Sequence, residues 1–436
     1  MKKITLLLLL LVSTTLIFAQ ENHKKCISTK LVEEELKNNT DYVDARKNSG
    51  NINYNSKEKK TNTIPVVIHI IHRTSHANIG SGTNIPDIQI EDALRILNED
   101  FSKTNPEFPN PPRNTFLNYW GNPELVFCLA TTDPDGNATS GVTRTATAQT
   151  NWDADNNTES NAMKQNSSGG KDSWDPKKYL NIWVCDLTNS TGGGQTLGYA
   201  YLPGLLAGFG QNAWKDGLVV DYRYFGTNGI AAPSSDGKTA THEIGHYLGL
   251  NHTFSEGNYP TYNCLDNNGN TICCDRDGGN VDDTPATDGV YWGNVTSTTN
   301  NNTCNDLAYA NAFTTDVLDM DENFMSYSTS TWMFSQGQVD VMMATLNTSE
   351  SNGGRSILKS GTVSTNCSGI VSSTTNIINQ EINIYPNPTQ GKLFISTSDK
   401  ITSISITNII GKEVFSKINF NDNSIDLNSF KNGVYF

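Results

Sequence analysis

The residues whose types and spacing best suit chemistry lie between positions 242 and 252, which read HEIGHYLGLNH. His242 and His246 stand in an i, i+4 relation, so on a helix both imidazoles project from one face and suit a single zinc ion. Glu243 follows the first histidine and can reach a water molecule on the same metal, where it would act as general base. The string therefore predicts a zinc-dependent hydrolytic site on a helix.

A third zinc ligand is predicted just beyond this helix. Gly249 allows the helix to end in a turn with positive φ, after which the chain can bring His252 back to the metal. Three protein ligands leave the fourth position of a tetrahedral zinc site open for water, which is typical of a catalytic site. His69 and His72 lie in an apolar, β-branched run and are interpreted as ordinary strand histidines.

The elements that must position this helix are predicted from the spacing of apolar residues. Residues 63–72 are typical of a buried central strand, and residues 88–101 place their apolar side chains on one helical face. Further strands are predicted near 125–131, 179–185 and 218–220, and a closing helix over 336–346. Alternating strands and helices ahead of the zinc helix predict a mixed sheet, whereas the polar sequence after Pro285 predicts little regular structure.

Several segments resemble a known family. A methionine downstream of the histidines, in the NFMSYS segment at 323–328, resembles the Met-turn of the metzincin clan. The resemblance is narrower to the pappalysin (cytophagalysin) family and covers about residues 60–350. It rests on the histidine string and on three further segments, DGLVVDYRYF at 216–225, VDDTP at 281–285 and FSQGQ at 334–338. It implies a zinc endopeptidase of α+β class, with a mixed twisted sheet and helices above the cleft and an irregular lower half.

The resemblance also implies roles for individual residues. Met325 would form the floor of the zinc site through its soft side chain. Tyr327 would stabilise the transition state by donating to the developing oxyanion, the alternative being a packed aromatic side chain. An edge strand would bind the substrate as an added antiparallel strand, and its alternative is a plain surface hairpin. The residues predicted for that strand are Gly198, Tyr199, Ala200 and Tyr201.

Residues 21–60 are charged and rich in Asn and Lys, and the resemblance implies that they are a propeptide. Their single thiol is Cys26. A thiolate is a strong zinc ligand and would displace the catalytic water, so Cys26 is a candidate latency switch. An incidental thiol and a disulfide partner are the alternatives.

Pappalysin-like enzymes also bind Ca²⁺, and hard oxygen ligands lie close together near the VDDTP segment. The candidates are Asp275, Asp277, Asp282 and Asp283, and solvated loop acids are the alternative. Relatives that prefer Arg or Lys carry an acidic residue and a cysteine just past the Met-turn tyrosine. Residues 328–332 read STSTW here, so a preference for basic residues is not carried over.

The chain has eight cysteines, and export would permit disulfides. Four of them crowd the region between the zinc helix and the Met-turn and are interpreted as forming one or two disulfides: Cys264, Cys273, Cys274 and Cys304. Cys128 and Cys185 lie on apolar strands, where buried thiols are at least as well supported as a bond. Cys367 is expected to pair with nothing.

Both ends of the chain suggest export. Residues 1–20 combine two lysines, a short apolar run and a small-residue edge, which predicts a signal peptide. Residues 351–380 are rich in Ser, Thr, Asn and Gly and predict a linker after a catalytic domain at 61–350. Residues 381–436 contain YPNP, IIGK and NGVYF and predict a small β-sandwich. They resemble the sorting domain of the type IX secretion system, which implies the secretion machinery as a partner. Such domains continue past the equivalent of Phe436, so a truncated tail is expected.

Composition narrows the possible functions. The 436-residue chain has a formal net charge of −14 and lacks the basic cluster that nucleic acid requires of a partner. Beyond the signal peptide, no segment reaches the roughly 20 apolar residues of a spanning helix. We therefore expect a secreted or surface-located endopeptidase, made as a zymogen, that acts on proteins or peptides. The alternative is a surface-displayed binding protein whose zinc fold has lost activity.

Overall fold

The computed structural model describes two compact units, which divide between Ser372 and Ser373. The described residues of the first unit are 26–49, 62–156, 159–189, 196–208, 210–254, 281–308 and 311–367. Those of the second are 383–389, 391–396, 403–408, 413–418, 424–431 and 433–435. The predicted signal peptide lies outside the described residues. Within them, no helix combines the length and apolar character needed to cross a membrane.

A seven-stranded mixed sheet organises the first unit, as predicted. Its strands are β1 Asn62–Arg73, β2 Leu125–Ala130, β3 Val142–Thr147, β4 Leu180–Cys185, β5 Gly198–Ala200, β6 Leu218–Asp221 and β7 Thr365–Asn366. The central strand β1 pairs in parallel with β2, β3 and β4, and β4 pairs in parallel with β6. The edge strands β5 and β7 are antiparallel to β6 and β2, respectively.

The sheet is buried on both faces, which explains why β1 is almost continuously apolar. Ile64, Val66, Ile68 and Ile70 alternate along β1 and face the main core. Ile71 faces the opposite side and joins a second core with side chains of β4, β5 and β6.

Five helices pack on this sheet among the described residues: α1 Ser28–Asn38, α2 Thr40–Ser49, α3 Asp87–Phe101, α4 Thr239–Tyr247 and α5 Gln336–Asn347. Helices α3, α4 and α5 contribute to the main core, while α1 and α2 place Leu31 and Tyr42 in the second core. Helix α5 begins at a reciprocal capping box between Ser335 and Gln338. The predicted helices are therefore present, and α4 carries the histidine pair.

The lower half of the unit is irregular, as the resemblance implied. Described residues between Val281 and Phe334 contain a single 3-10 turn, at Asp306–Ala308, and no regular strand. Side-chain contacts hold this region instead. The buried guanidinium of Arg113 pairs with the buried carboxylate of Glu322, and its Nη2 also donates to the Asp319 carbonyl at 2.7 Å.

Two expectations about residues 351–380 are wrong. Cys367 forms a disulfide with Cys128, because β7 runs antiparallel to β2 and brings the two Cα atoms within 4.8 Å. Arg355 lies inside the first unit, where its buried guanidinium forms an ion pair with Asp216. The chain up to residue 367 therefore belongs to the first unit rather than to a linker.

Two of the other cysteines are in states that the sequence analysis had left open or expected, and three lie outside the described residues. Cys185 is a buried thiol. Cys304 is disulfide-bonded, as expected for the region before the Met-turn. Cys264, Cys273 and Cys274 lie outside the described residues.

The second unit consists of short antiparallel strands. Strands β8, β9 and β12 form one sheet, and β10 and β11 form another. Ile406 and Ile425, one from each sheet, are buried in a common apolar cluster, as expected of a small sandwich. The strands are β8 Asn383–Tyr385, β9 Lys392–Ser396, β10 Ser403–Thr407, β11 Glu413–Ile418 and β12 Ser424–Asp426.

Candidate metal centre and active site

Three imidazoles converge above α4. The helix presents His242 and His246 one turn apart, and Gly249 then turns the chain with a φ of +108°. His252 returns so that its Nε2 atom lies 3.1 Å from the Nε2 atoms of both other histidines. All three side chains are buried. The structure therefore brings together the three residues that the sequence predicted as ligands.

Backbone carbonyls orient two of these rings. The Nδ1 atom of His242 lies 2.7 Å from the Phe324 carbonyl oxygen, and that of His246 lies 2.7 Å from the Leu250 carbonyl oxygen. A carbonyl can only accept, so each Nδ1 carries the proton and each Nε2 presents a lone pair to the centre. This tautomer is the one a metal requires.

The Met-turn lies directly beneath the histidines. Asn323 accepts a hydrogen bond from the backbone N–H of Met325 at 2.9 Å, and its side chain pairs with Gln338 of α5. These hydrogen bonds fix the conformation of the turn. The Met325 side chain is fully buried in the main core.

Tyr327 follows the Met-turn and reaches the same centre. Its hydroxyl lies 3.2 Å from the Nε2 atom of His252, and its ring packs edge-on against that imidazole at 4.9 Å. Phe254 stacks on the His252 ring, with centroids 4.9 Å apart and planes 8° apart, and its ring also contacts that of Tyr327 at 5.0 Å. The hydroxyl is thus held where a group bound to the metal would lie.

Cys26 completes the cluster from the N-terminal segment. Its Sγ atom and one nitrogen from each of His242, His246 and His252 all lie within 4.8 Å of one another. The thiol also donates to the Oε2 atom of Glu243 at 3.4 Å. Three neutral imidazoles and a thiol form a donor set that suits zinc.

Glu243 is fully buried beside this cluster. Burial raises the pKa of Glu243 to about 8, while hydrogen bonds from Cys26 and Ser28 act to lower it. A divalent cation bound by the histidines would lower this pKa further, because its charge favours the carboxylate.

The N-terminal segment lies along the edge strand. Cys26 forms a parallel bridge with Gly198 of β5, and the Ala200 N–H donates to Ser28 Oγ at 2.9 Å. Ser28 Oγ in turn donates to Glu243 Oε2 at 3.3 Å. The segment therefore occupies the exposed edge of the sheet where it passes the metal cluster.

Helices α1 and α2 anchor this segment outside the cleft. Glu35 accepts hydrogen bonds from Lys215 at 2.5 Å and from Asn212 at 3.0 Å. Tyr42 is fully buried, donates to the Leu202 carbonyl at 3.2 Å and fits against Gly204, where a Cβ would be 2.8 Å from its ring.

The remaining candidate residues have other surroundings. His69 lies between Thr143 and Asn181, and burial lowers its pKa to about 4, in agreement with its interpretation as a strand histidine. Asp283 accepts from the Ser335 hydroxyl at 2.6 Å and from the Gly337 N–H at 2.9 Å, so one oxygen bonds the first turn of α5 and the other bonds the residue before that helix. Asp282 is exposed, and Asp275 and Asp277 lie outside the described residues.

The sequence reading missed three residues of this site, Ser28, Phe254 and Trp292. Ser28 follows Cys26 by two positions and is the first residue of α1. Phe254 follows His252 by two positions in the same way. Trp292 lies in the irregular lower half, where sequence carries no periodic signal.

Comparisons with known proteins agree with this geometry. A family model described as pregnancy-associated plasma protein-A matches residues 163–347. Mature mirolysin of Tannerella forsythia, solved with a cleaved peptide, is 32% identical with a TM-score of 0.55, covering 70% of this chain and 97% of that one. The chain belongs to the pappalysin family of metallopeptidases.

Within this family, the resemblance extends to a precursor form. A promirolysin mutant of the same organism is 28% identical with a TM-score of 0.60, covering 78% of this chain and 98% of that one. An extracellular metalloprotease of Verticillium alfalfae is 28% identical over 234 residues, which are 53% of this chain and 60% of that protein. The chain thus matches little more than half the length of this curated relative.

A second family model, for secretion system C-terminal sorting domains, matches residues 383–436. This confirms the predicted sorting domain and indicates export through type IX secretion.

Proposed function

We propose that the protein is a secreted, zinc-dependent endopeptidase produced in a latent form. The observation that carries this proposal is the convergence of three imidazole Nε2 atoms, one thiol and the Glu243 carboxylate at the edge strand of the sheet. A decayed binding protein would have no need of an intact carboxylate beside a preorganised metal-binding cluster.

His242, His246 and His252 would hold the metal, and the fourth position would be available to water once Cys26 has left. When bound, zinc supplies an acidified water molecule and polarises the scissile carbonyl. Glu243 would accept the proton of that water at Oε2 and deliver it to the leaving amine. The Tyr327 hydroxyl, held beside His252, would donate to the developing oxyanion.

The outer edge of β5 would bind the substrate once the N-terminal segment has left. Backbone groups of Gly198 to Tyr201 would pair with an extended peptide in the antiparallel direction. Ser28 accepts from the Ala200 N–H in the described structure, so this donor becomes available to a substrate carbonyl when the N-terminal segment leaves.

Latency would arise because the N-terminal segment occupies all three parts of the site. Cys26 would provide the fourth ligand, Ser28 hydrogen-bonds the proposed general base, and the segment covers the β5 edge. It runs parallel to β5, opposite to the direction proposed for the substrate, and so presents its peptide bonds in the wrong polarity for attack.

The test compares the processed wild-type protein with Glu243→Gln on a peptide library, with and without a zinc chelator. We expect cleavage only by the wild type, abolished by the chelator and restored by zinc, with equal zinc content in both proteins. Glu243→Gln keeps the size of the side chain and therefore serves as its own control for folding. Equal cleavage by the two proteins, or none by either, would overturn the proposal in favour of a binding protein.

A further inference from the structure

We infer that Gly198 is a positioning residue for the proposed reaction. Because it has no side chain, the Glu243 carboxylate can lie directly against β5 and reach the peptide bond that this strand would hold. The inference rests on the proposed function and adds to it a residue that acts through Glu243.

Strand β5 passes directly beside the proposed general base. A Cβ atom on Gly198 would lie 3.0 Å from Cγ and 3.1 Å from Oε1 of Glu243, and 2.9 Å from Cγ2 of Thr239, the first residue of α4. Carbon atoms in contact normally lie about 3.5–4.0 Å apart, so a side chain here would have to displace the carboxylate, α4 or β5. Gly198 and Glu243 are both buried, which leaves little room for such a shift.

The two carboxylate oxygens of Glu243 face different neighbours. Oε2 accepts hydrogen bonds from Cys26 and Ser28 of the N-terminal segment, whereas Oε1 faces Gly198. When the N-terminal segment leaves, Oε2 loses these two donors and the contact with Gly198 remains. Gly198 then forms one wall of the space that the Glu243 side chain can occupy.

Gly198 also faces the path proposed for the substrate. Its backbone forms the bridge with Cys26, so the edge that the N-terminal segment covers is the edge that would pair with a peptide. Neighbouring strands lie about 4.8 Å apart, so a peptide bound at Gly198 would be one strand spacing away. Gly198 thus contacts Glu243 on one side and would contact the bound peptide on the other. Its small size sets the distance between the carboxylate and the scissile bond.

The experiment measures peptide hydrolysis by the processed protein, per zinc bound, for the wild type and Gly198→Ala. We expect kcat to fall about tenfold, since even a small misplacement of a catalytic group costs rate. KM should stay near that of the wild type, because the backbone N–H and C=O groups of β5 are unchanged. A merely structural role would reduce the amount of folded, zinc-loaded protein and leave the turnover of each loaded molecule unchanged.

Gly136→Ala is the matched control. Gly136 is exposed, has a φ of +86°, and a Cβ there would meet nothing within 4 Å. This variant should lose stability through backbone strain and keep the kcat of the wild type.

A second substitution tests whether the effect is steric. Serine at position 239 lacks Cγ2, the atom closest to the new Cβ, so Gly198→Ala/Thr239→Ser should recover part of the lost kcat. Thr239→Ser alone should behave as the wild type.

The outcomes separate the inference from the proposed function. A wild-type kcat in Gly198→Ala, or no recovery in the double variant, would overturn the inference and leave the proposed peptidase intact. If Gly198→Ala does not fold, the double variant decides. A lowered kcat with an unchanged KM would support the inference, and a wild-type kcat would overturn it. Absence of cleavage by the wild type would overturn the proposed function and the inference with it.

Discussion

Gly245 leaves the space that the Met325 side chain fills. A Cβ atom on Gly245 would overlap the Sδ atom of Met325 and lie 3.2 Å from its Cε. Gly245 lies between His242 and His246 of α4, at the point where the helix meets the Met-turn. A glycine inside a helix normally weakens it, so its presence here is explained by the close approach of the sulfur.

Gly245→Ala is expected to destabilise the protein by about 1–3 kcal/mol, the usual cost of overpacking a core. The displaced sulfur or helix should also disturb the histidines, so zinc content should fall. Urea unfolding and metal analysis would measure both effects. The double variant Gly245→Ala/Met325→Ala should lose less stability than the sum of the two single changes. Met325→Ala removes the sulfur with which the new Cβ would collide, and that Cβ fills part of the space that the sulfur leaves. Additive losses would contradict the packing argument.

Cys26→Ala should make the unprocessed protein active. Without the thiol, the N-terminal segment has no ligand for the metal, and we expect peptide hydrolysis to rise at least about tenfold over the unprocessed wild type. Gel analysis must show that the chain is still uncleaved. Cys185→Ala is the matched control, since Cys185 is the other buried thiol among the described residues and lies in the second core. A silent Cys26→Ala protein would rule out the switch.

Ser28→Ala should weaken latency without abolishing it. The change removes the acceptor for the Ala200 N–H and the donor to Glu243, but leaves Cys26 in place. We expect basal hydrolysis by the unprocessed chain to lie between those of wild type and Cys26→Ala. Thr29→Ala, one residue further along α1, should behave as wild type. If Ser28→Ala and Thr29→Ala are indistinguishable, the bridge to Glu243 contributes nothing to latency.

Lys164 is expected to give the folding free energy a measurable pH dependence. It is buried among the rings of Trp183, Tyr199 and Tyr201, with centroid distances of 5.0, 5.5 and 5.1 Å. Burial lowers the pKa of Lys164 from its usual 10.5 to about 7, and Lys215 adds to this while Asp216 opposes it. Between pH 7 and 10.5 the unfolded chain therefore binds more protons at Lys164 than the folded protein does. The contribution of this site to the free energy of unfolding consequently rises with pH.

The measurement is urea unfolding of wild type and Lys164→Met at pH 7 and pH 8.5. As pH rises, the free energy of unfolding of the wild type should increase relative to that of the variant. This difference can change by at most about 1.4 kcal/mol per pH unit. Cation–π contacts favour the charged form and keep the gain below this ceiling. Comparing the two proteins cancels the titration of other groups. A constant difference between them would show that Lys164 keeps an ordinary pKa.

Much of the site was accessible from sequence because its residues are local. His242, Glu243, His246, Gly249 and His252 lie within one helix and the turn that follows it, so helical spacing alone places them together. The sheet strands were equally clear, since strands buried on both faces are continuous apolar runs. The edge position of β5 came from the family resemblance.

The contacts that could not be predicted from the sequence join segments that are distant along the chain. Arg355 and Asp216 form a buried ion pair across 139 positions, and the Cys128–Cys367 disulfide spans 239. Residues 351–367 are polar in composition and resemble a linker, yet the Arg355 ion pair and the Cys367 disulfide attach them to the rest of the first unit. Pairing of this kind depends on the assembled sheet and leaves no periodic pattern in the chain.

The Cys128–Cys367 bond gives the last prediction. It closes a loop of 239 residues around most of the first unit, so its loss should destabilise the oxidised protein by roughly 2–5 kcal/mol, chiefly by freeing the unfolded chain. Cys367→Ala should therefore unfold at lower urea concentration than wild type, with β7 released from β2. A reductant should lower the urea midpoint of the wild type toward that of the variant. Any further drop in the midpoint of the variant itself reports the disulfide at Cys304. Cys128→Ala should match Cys367→Ala if the two thiols are partners, whereas clearly different midpoints would show that they are not.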